Sequence, residues 1–267
     1  MAEAERPQLR RYEVPLRRLP GEFHGFTIAQ LSDFHYDPVF SVTPIKAAVE
    51  MVNGLNADLV VLTGDFITTP LVDVAGIGAR EAKQVAPCAE LLSNIRCRNP
   101  LLAVLGNHDY AFDPEFVTRV LQSRGIKVLR NASHAVERNG ARLWVAGVDD
   151  VLYKAARLDQ TLKEIPATEA TVLLCHEPDY ADYSAKSPID LQLSGHSHGG
   201  QIRLPLIGVP YLPQLARKYP WGMRQIGNTT LYTNCGIGTI RLAMRWNCPP
   251  EVTLFTLRAG DGSPRLL

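Results

Sequence analysis

The sequence lacks the features that mark a membrane-spanning or exported chain. None of its apolar runs reaches the roughly 18 residues that a helix needs to cross a bilayer. Residues 1–18 carry many charges, including the pairs Arg10-Arg11 and Arg17-Arg18, and hold no apolar stretch of the kind found in signal peptides. We therefore expect a cytoplasmic or peripheral membrane location.

Cysteines are few, and their spacing shows no pairing pattern. The five residues are Cys88, Cys97, Cys175, Cys235 and Cys248, with no CxxC among them. An odd number without such spacing does not fit a disulfide framework. We interpret them as small hydrophobic residues of a protein from a reducing compartment.

Net charge is almost absent as well. The 28 lysine and arginine residues exceed the 27 acidic residues by one, so the sequence gives no sign of a basic surface for nucleic acid, and we expect no nucleic-acid partner. The 267 residues are 46% hydrophobic, which is enough for a sizeable core. Because no repeat, low-complexity tract or linker interrupts them, we predict a single domain over residues 1–267.

What the sequence does contain is a series of short segments rich in metal-ligand side chains. They are Asp33-Phe34-His35, Gly64-Asp65, Gly106-Asn107-His108-Asp109, His176 and Gly195-His196-Ser197-His198. Four of the five follow a short run of β-branched and leucine residues, which is typical of a buried strand. Since open α/β sheets build their sites at the carboxyl ends of neighbouring strands, we expect these side chains to converge. The other two histidines, His24 and His134, match no motif and are interpreted as structural or surface residues.

Helical and extended patterns alternate early in the chain, and the later part is richer in strands. Strands are predicted at residues 12–16, 26–31, 59–63, 101–105, 128–130, 135–137, 143–148, 171–175, 191–194, 230–233 and 252–257. Helices are predicted at residues 44–55, 86–95 and 114–123, the first with Thr43 as N-cap and Pro44 in its first turn. Residues 1–20 are expected to form an N-terminal arm with an edge strand. These patterns indicate an α/β fold.

The ordered motifs Asp-x-His, Gly-Asp, Gly-Asn-His-Asp, a lone His and Gly-His-x-His resemble those of the calcineurin-like metallophosphoesterases. The resemblance covers residues 27–201 and continues more weakly through residues 234–236. The Gly-Asn-His-Asp variant and the Gly-His-Ser-His-Gly-Gly-Gln run are similar to the bacterial branch of YkuE- and YaeI-type phosphodiesterases. The resemblance implies a four-layer α/β/β/α sandwich of two packed mixed sheets flanked by helices. Relatives in this branch often carry an N-terminal membrane anchor or export signal, so it also allows a segment ahead of residue 1.

The resemblance further implies a site for two divalent metal ions. Asp33, His35, Asp65 and His198 would hold the first ion. Asp65, Asn107, His176 and His196 would hold the second, so that Asp65 bridges the two. Manganese is expected, with iron or zinc as alternatives, because mixed nitrogen and oxygen ligands suit these ions better than magnesium or calcium. A hydroxide bridging the metals would attack phosphorus in line.

Two residues beside the ligand asparagine are implied to act on the substrate. His108 would contact the phosphate and stabilise the transition state or protonate the leaving oxygen. Asp109 would orient the ring of His108, at a position where the wider family more usually has glutamate.

Residues 191–250 contain no Asp or Glu. Within them we predict a basic and apolar flap over residues 202–250, in which Arg203, Arg241 and Arg245 bind an anionic phosphoester. Tyrosine and tryptophan among these basic residues would also suit an anionic membrane surface. The alternative is that acids are simply excluded near a phosphate site and the apolar residues are ordinary core.

The sequence thus predicts an enzyme that hydrolyses a phosphodiester or pyrophosphate bond of a small-molecule or lipid-linked substrate. UDP-2,3-diacylglucosamine is one substrate that the bacterial branch implies. The alternatives are a nucleotide or cyclic-nucleotide phosphodiesterase, a nuclease, or a non-catalytic membrane-associated scaffold. The oligomeric state stays open.

Overall fold

The structure is a computed structural model that describes residues 2–69 and 78–267. Within them, the strands are β1 (Gln8–Leu16), β2 (Thr27–Leu31), β3 (Leu59–Leu62), β4 (Leu102–Ala103), β5 (Lys127–Val128), β6 (Ala132–Arg138), β7 (Ala141–Gly147), β8 (Thr171–Leu174), β9 (Leu191–Ser194), β10 (Gly222–Ile226), β11 (Thr229–Thr233), β12 (Glu251–Ala259) and β13 (Arg265–Leu266). The helices are α1 (Ala2–Glu5), α2 (Val42–Leu55), α3 (Gly78–Leu92), α4 (Asn107–Phe112), α5 (Pro114–Ser123), α6 (Leu158–Leu162) and α7 (Ala181–Ser184).

These strands form two mixed sheets. The first has the order β13-β1-β12-β2-β3-β4-β5, in which β2 to β5 run parallel and β12 is antiparallel to β2. The second has the order β10-β11-β9-β8-β7-β6, with a parallel centre and an antiparallel strand at each end. Both sheets therefore present the carboxyl ends of several parallel strands.

Apolar side chains on both faces of the central strands explain how the layers pack. Ile28 and Val61 point between the sheets, where they join Val172 and Leu193 of the second sheet in one buried cluster. Their neighbours on the opposite face, such as Val60, pack under the apolar faces of α2, α3 and α5. A smaller cluster under α6 covers the far side of the second sheet. This confirms the predicted sandwich of two packed mixed sheets flanked by helices and explains why the strands read as continuous apolar runs.

Some element boundaries differ from the predictions. Helix α2 starts earlier than expected, directly after Ser41, because the amide of Ile45 already donates to the Ser41 carbonyl. Helix α3 begins at Gly78, so Pro87 lies inside it and not in its first turn. The apolar pattern of this helix starts only near Val85, whereas the preceding residues have high helix propensity but no apolar period.

Strand β1 is longer than predicted and lies one place in from the edge of its sheet. It pairs in parallel with β12 over nine residues, and Tyr12 and Glu13 pair with β13 on its other side. No helix of the described residues is long and apolar enough to span a bilayer.

Candidate metal centre

The candidate ligands lie on five loops that follow the carboxyl ends of β2, β3, β4, β8 and β9. The first three strands belong to one sheet and the last two to the other. The loops are fastened to one another, since the amide of Asp33 donates to the Gly64 carbonyl and the amide of Gly195 donates to the His176 carbonyl. The site is therefore built across the ends of both sheets.

Five of the candidate ligands have a left-handed backbone conformation, which residues other than glycine rarely adopt. The φ angles are 52° at Asp33, 40° at His35, 56° at Asp65, 67° at His196 and 52° at His198. Such conformations persist only where the surrounding structure enforces them, and they cluster at functional sites. Here they turn side chains from separate loops toward a common point.

Close backbone approach requires glycine at two positions beside the ligands. A Cβ on Gly195 would lie 1.9 Å from the Ser32 hydroxyl oxygen and 2.3 Å from Asp33 Oδ2. A Cβ on Gly106 would lie 2.2 Å from Asp65 Oδ1. The Gly-Asn-His-Asp and Gly-His-Ser-His motifs thus begin with glycine for steric reasons.

The carboxylate of Asp65 lies between two groups of imidazoles. Its Oδ2 is 3.4 Å from His35 Nε2 and 3.2 Å from His176 Nε2. On one side, His198 Nε2 is 2.9 Å from His35 Nε2 and 3.4 Å from Asp33 Oδ1. On the other side, His196 joins Asp65 and His176 in a second group of mutually close ligand atoms. All six of these side chains are buried.

In three of the histidines, one ring nitrogen contacts a partner in the protein. His35 Nδ1 is 3.0 Å from the Thr68 hydroxyl, His176 Nδ1 is 2.6 Å from the Thr63 carbonyl, and His196 Nε2 is 2.8 Å from the Gln214 carbonyl. The other nitrogen of each ring is left for the cluster. This is how metal-binding histidines are usually oriented.

Several polar atoms at the centre of the cluster fit a bound cation. Asn107 Oδ1 is buried without a hydrogen-bond partner. Two imidazole nitrogens that face each other at 2.9 Å, as in His35 and His198, repel unless a proton or a metal ion lies between them. Neutral imidazoles and carboxylates are the ligands that divalent transition metals prefer.

Electrostatics keeps most of these ligands in the form that binds cations. Burial lowers the pKa of His196 to about 3 and lowers that of His198 well below its usual value, so both rings are neutral at pH 7. Burial raises the pKa of Asp65, but the positive charge of His176 outweighs it and holds that pKa well below its usual value. Asp65 is therefore ionised.

His108 lies at the edge of the cluster, with its ring edge-on to that of His35 at a centroid distance of 4.9 Å. Its Nδ1 accepts from the backbone amide of Thr69 at 3.0 Å and lies 2.7 Å from the Thr69 hydroxyl. Because the amide can only donate, Nδ1 carries no proton, and the neutral ring carries its proton on Nε2. Burial lowers the pKa of His108 to about 4, so the ring is neutral at pH 7.

Asp109 occupies a different place from the one expected. Its carboxylate accepts from the backbone amides of Asp65, Phe66 and Gly106 at 2.9 Å, and from Ile67 at 3.3 Å. It ties the loop after β3 to the start of α4, and the contact with the His108 ring is made by Thr69. The sequence offered no signal for Thr69 beyond its place four residues after Asp65.

The three arginines of the predicted flap lie in different surroundings from one another. Arg241 is exposed beside the Tyr211 ring, at 5.0 Å, and its charge is one of the smaller contributions that lower the pKa of His108. Arg203 packs on Trp221 at 4.2 Å and donates to the Gly199 carbonyl at 2.8 Å. Arg245 is buried and donates to the carbonyls of Cys235, Gly238 and Cys248. Among the three, Arg241 is therefore the exposed one.

Comparisons with known proteins agree with this geometry. The family model described as calcineurin-like phosphoesterase matches residues 26–200. The chain is 33% identical over 243 residues to the uncharacterized metallophosphoesterase YkuE of Bacillus subtilis (strain 168), covering 90% of this chain and 82% of that protein. It is 31% identical over 238 residues to the phosphodiesterase YaeI of Escherichia coli (strain K12), covering 87% and 82%.

Among solved structures, the fold is similar to that of a 5'-nucleotidase precursor from Thermus thermophilus. The TM-score is 0.51 at 14% identity, over 79% of this chain and 49% of that one. At this identity the likeness concerns the fold alone.

Proposed function

The chain belongs to the calcineurin-like phosphoesterase family, and from this premise we propose that it hydrolyses a phosphodiester or pyrophosphate bond with the help of two divalent metal ions. One observation carries the proposal. A single carboxylate oxygen, Asp65 Oδ2, lies between imidazoles of two groups, at 3.4 Å from His35 Nε2 and 3.2 Å from His176 Nε2. A carboxylate shared in this way suits a pair of cations that clamp the oxygens of a displacement at phosphorus.

The residues divide into two ligand sets. Asp33, His35, Asp65 and His198 hold one ion in this proposal, and Asp65, Asn107, His176 and His196 hold the other. When bound, the metal ions neutralise charge on the phosphoryl oxygens and bring the pKa of water toward neutrality. Nitrogen and oxygen ligands without a thiolate suit Mn²⁺, iron or Zn²⁺, and the resemblance to the family makes Mn²⁺ the first choice.

His108 and Arg241 supply the contacts to the substrate. The Nε2–H of neutral His108 donates a hydrogen bond to a phosphoryl or leaving-group oxygen, and Thr69 holds the ring for this purpose. Arg241 provides an exposed guanidinium for the anionic group. Asp109 contributes indirectly, because its four amide contacts hold the loops that carry Asp65 and Asn107.

Hydrolysis of a chromogenic phosphodiester, compared with the matching monoester, tests the reaction class. The protein is stripped with a chelator and then supplied with Mn²⁺, Zn²⁺ or Fe²⁺ in parallel. We expect turnover only after metal is restored, with the diester preferred. Turnover that survives chelation, or a preference for the monoester, would contradict the proposal.

Exposed apolar residues on the flap suggest the nature of the substrate. Leu206, Ile207 and Trp246 are exposed large side chains, with Leu206 fully in solvent and Ile207 at 76% exposure. Backbone contacts join the segment around residue 202 to Trp246, and the Gln201 side chain binds the backbone of Ile240 and Leu242. These exposed side chains and Arg241 therefore lie on connected loops beside the proposed metal centre.

We infer that this surface meets anionic lipid, and that the substrate is lipid-linked, with UDP-2,3-diacylglucosamine as an example of the class. Exposed apolar tips among arginines can insert between acyl chains while the cations contact phosphate headgroups. A peripheral membrane location follows from this inference. The absence of acidic residues between positions 191 and 250 removes the charges that anionic lipid would repel.

Sedimentation with vesicles of phosphatidylglycerol and phosphatidylcholine tests the surface. Leu206→Ser combined with Ile207→Ser should weaken binding, whereas Tyr183→Ser, an exposed aromatic on α7, serves as the matched control and should not. Equal binding of all three proteins would rule out the flap tips as the contact.

A further inference from the structure

Two of the five cysteines lie side by side although they are thirteen positions apart in the sequence. The sulfur atoms of Cys235 and Cys248 both lie close to Gly199. Both side chains are buried and neither is in a disulfide. A side chain at Gly199 would run into both sulfurs, since its Cβ would lie 2.6 Å from Cys235 Sγ and 2.9 Å from Cys248 Sγ. The pair therefore occupies one small space behind the His198 loop.

Positive charge and a cavity adjoin this pair of thiols. Arg203 donates to Cys235 Sγ at 3.3 Å, and the Arg245 guanidinium lies 3.9 Å from Cys248 Sγ. The two cysteines line a cavity of about 440 Å³, together with Arg10, Arg203 and Trp221. A small polar molecule can therefore approach the sulfurs through the cavity, and nearby cations make cysteine sulfur more reactive.

The thiols also contact the loop that carries a candidate metal ligand. Cys248 Sγ donates to the carbonyl of His198 at 3.3 Å and lies 3.6 Å from the carbonyl of Gly199. A change in the covalent state of Cys248 would remove this donor from the backbone of His198.

We propose that Cys235 and Cys248 form a reversible oxidation site, at which hydrogen peroxide or a related small hydroperoxide converts the two thiols into a disulfide. The adjacent sulfurs, the flanking arginines and the cavity that reaches them are the observations that support the site. It lies beside the metal centre and uses none of its proposed ligand side chains.

The reaction balances with one peroxide molecule. One sulfur attacks a peroxide oxygen, the O–O bond breaks, and a sulfenic acid and water are produced. The second sulfur attacks the sulfenic sulfur, and the S–S bond forms as the S–O bond breaks. The released hydroxyl group takes the remaining thiol proton and leaves as a second water molecule. Two thiols are oxidised, one peroxide is reduced to two water molecules, and an added dithiol reverses the step by exchange.

Mass spectrometry of the intact, metal-loaded protein tests the site without reference to its activity. The protein is treated with an equimolar amount of hydrogen peroxide, denatured with an alkylating reagent, and digested without reductant. We expect two of the five thiols to escape alkylation, a peptide that links residue 235 to residue 248, and recovery of both thiols after dithiothreitol.

Variants separate this pair from general oxidation. Cys248→Ser and Cys235→Ser should each abolish the linked peptide, and Cys97→Ser, which changes a half-buried cysteine elsewhere, should leave it intact. The linked peptide of the unmodified chain decides the question even if a variant folds poorly. Full alkylation of both cysteines after peroxide, or oxidation of Cys97 ahead of the pair, would overturn the proposal.

Discussion

Several histidines of the proposed metal centre place one ring nitrogen on a partner in the protein and leave the other nitrogen facing the cluster. His176 gives Nδ1 to the Thr63 carbonyl and leaves Nε2 beside Asp65, whereas His196 gives Nε2 to the Gln214 carbonyl. Both rings are therefore held in position by the protein itself. Loss of such a contact commonly lowers metal affinity or activity by about 10- to 100-fold.

Asp65→Ala should remove the ligand that the two metal ions share in the proposed centre. Because the oxygen between His35 and His176 disappears, we expect loss of activity and a fall in metal content to one ion per chain or fewer. Elemental analysis measures the content, with Asp261→Ala as an exposed control that should keep both ions. Two ions retained by Asp65→Ala would be incompatible with a bridging role.

His108→Ala should lower turnover by roughly 10²–10⁴-fold and leave the metal content unchanged, because the residue acts on the substrate. Thr69→Val should lower turnover by about 10-fold, since outer partners of site histidines contribute on this scale. Thr69→Ser keeps the hydroxyl that contacts His108 Nδ1 and should retain activity. If Thr69→Val and Thr69→Ser show the same turnover, the hydroxyl does not position the ring.

At the scale of elements, the carboxyl ends of five strands place the ligands, but the loops after those strands decide the geometry. Left-handed backbone at Asp33, Asp65 and His198 turns these loops sharply. Helix α4 starts at the proposed ligand Asn107, and Asp109 in its first turn holds the loop after β3. Only residues 104–106 separate β4 from this helix.

Gly195→Ala should disturb this junction. The added Cβ would collide with Ser32 and Asp33, and over-packing of this kind typically costs about 1–3 kcal/mol. We expect a lower melting temperature and a lower metal content. Gly54→Ala is the matched control, because its Cβ meets open space within α2 and should be neutral or stabilise by about 0.5–1 kcal/mol. Equal metal content in the two variants would show that the close approach at Gly195 is unimportant.

At the scale of the whole molecule, the cluster of proposed metal ligands joins the two sheets. His35 follows a strand of the first sheet, and His198 follows a strand of the second. Asp33 accepts a hydrogen bond from the backbone amide of His196 across the same boundary. Cations held by both sides would bind the folded chain and not the unfolded one, so we expect them to stabilise the fold by mass action, by about 2.7 kcal/mol at a hundredfold excess over the dissociation constant.

Metal binding should release a proton and strengthen as the pH rises. Burial lowers the pKa of His176, but Asp65 outweighs burial and holds that pKa well above its usual value, so the metal-free protein carries a proton there at pH 7. A metal ion must displace this proton, and raising the pH from about 6 to about 8 therefore favours binding. The difference in melting temperature between metal-loaded and chelated protein should widen over this range.

Calorimetry in two buffers with different ionisation enthalpies measures the proton directly. We expect about one proton released per chain from this residue at pH 7. Binding heats that are independent of the buffer, together with a melting-temperature difference that does not change with pH, would contradict the displacement of a His176 proton.

Local sequence patterns determined much of the architecture. Apolar runs located β2, β3, β8 and β9, Asp113 with Pro114 marks the start of α5, and Asn139 and Gly140 form the turn between β6 and β7 with φ angles of 51° and 82°. These features are predictable because burial on both faces, helix capping and left-handed turns act within a few neighbouring residues. The ordered ligand motifs predicted the family for the same reason, since each motif is short and contiguous.

Only the tertiary structure decided which side chains meet. Thr69 contacts His108, and four backbone amides donate to the carboxylate of Asp109. Arg245 is buried among carbonyls, and Cys235 lies beside Cys248. None of these contacts has a local signal, because each joins segments whose separation in space is fixed by how the two sheets pack. The sequence thus determined the elements and the metal-ligand chemistry, whereas packing across the sheet ends determined the partners, the strained backbone and the pair of thiols.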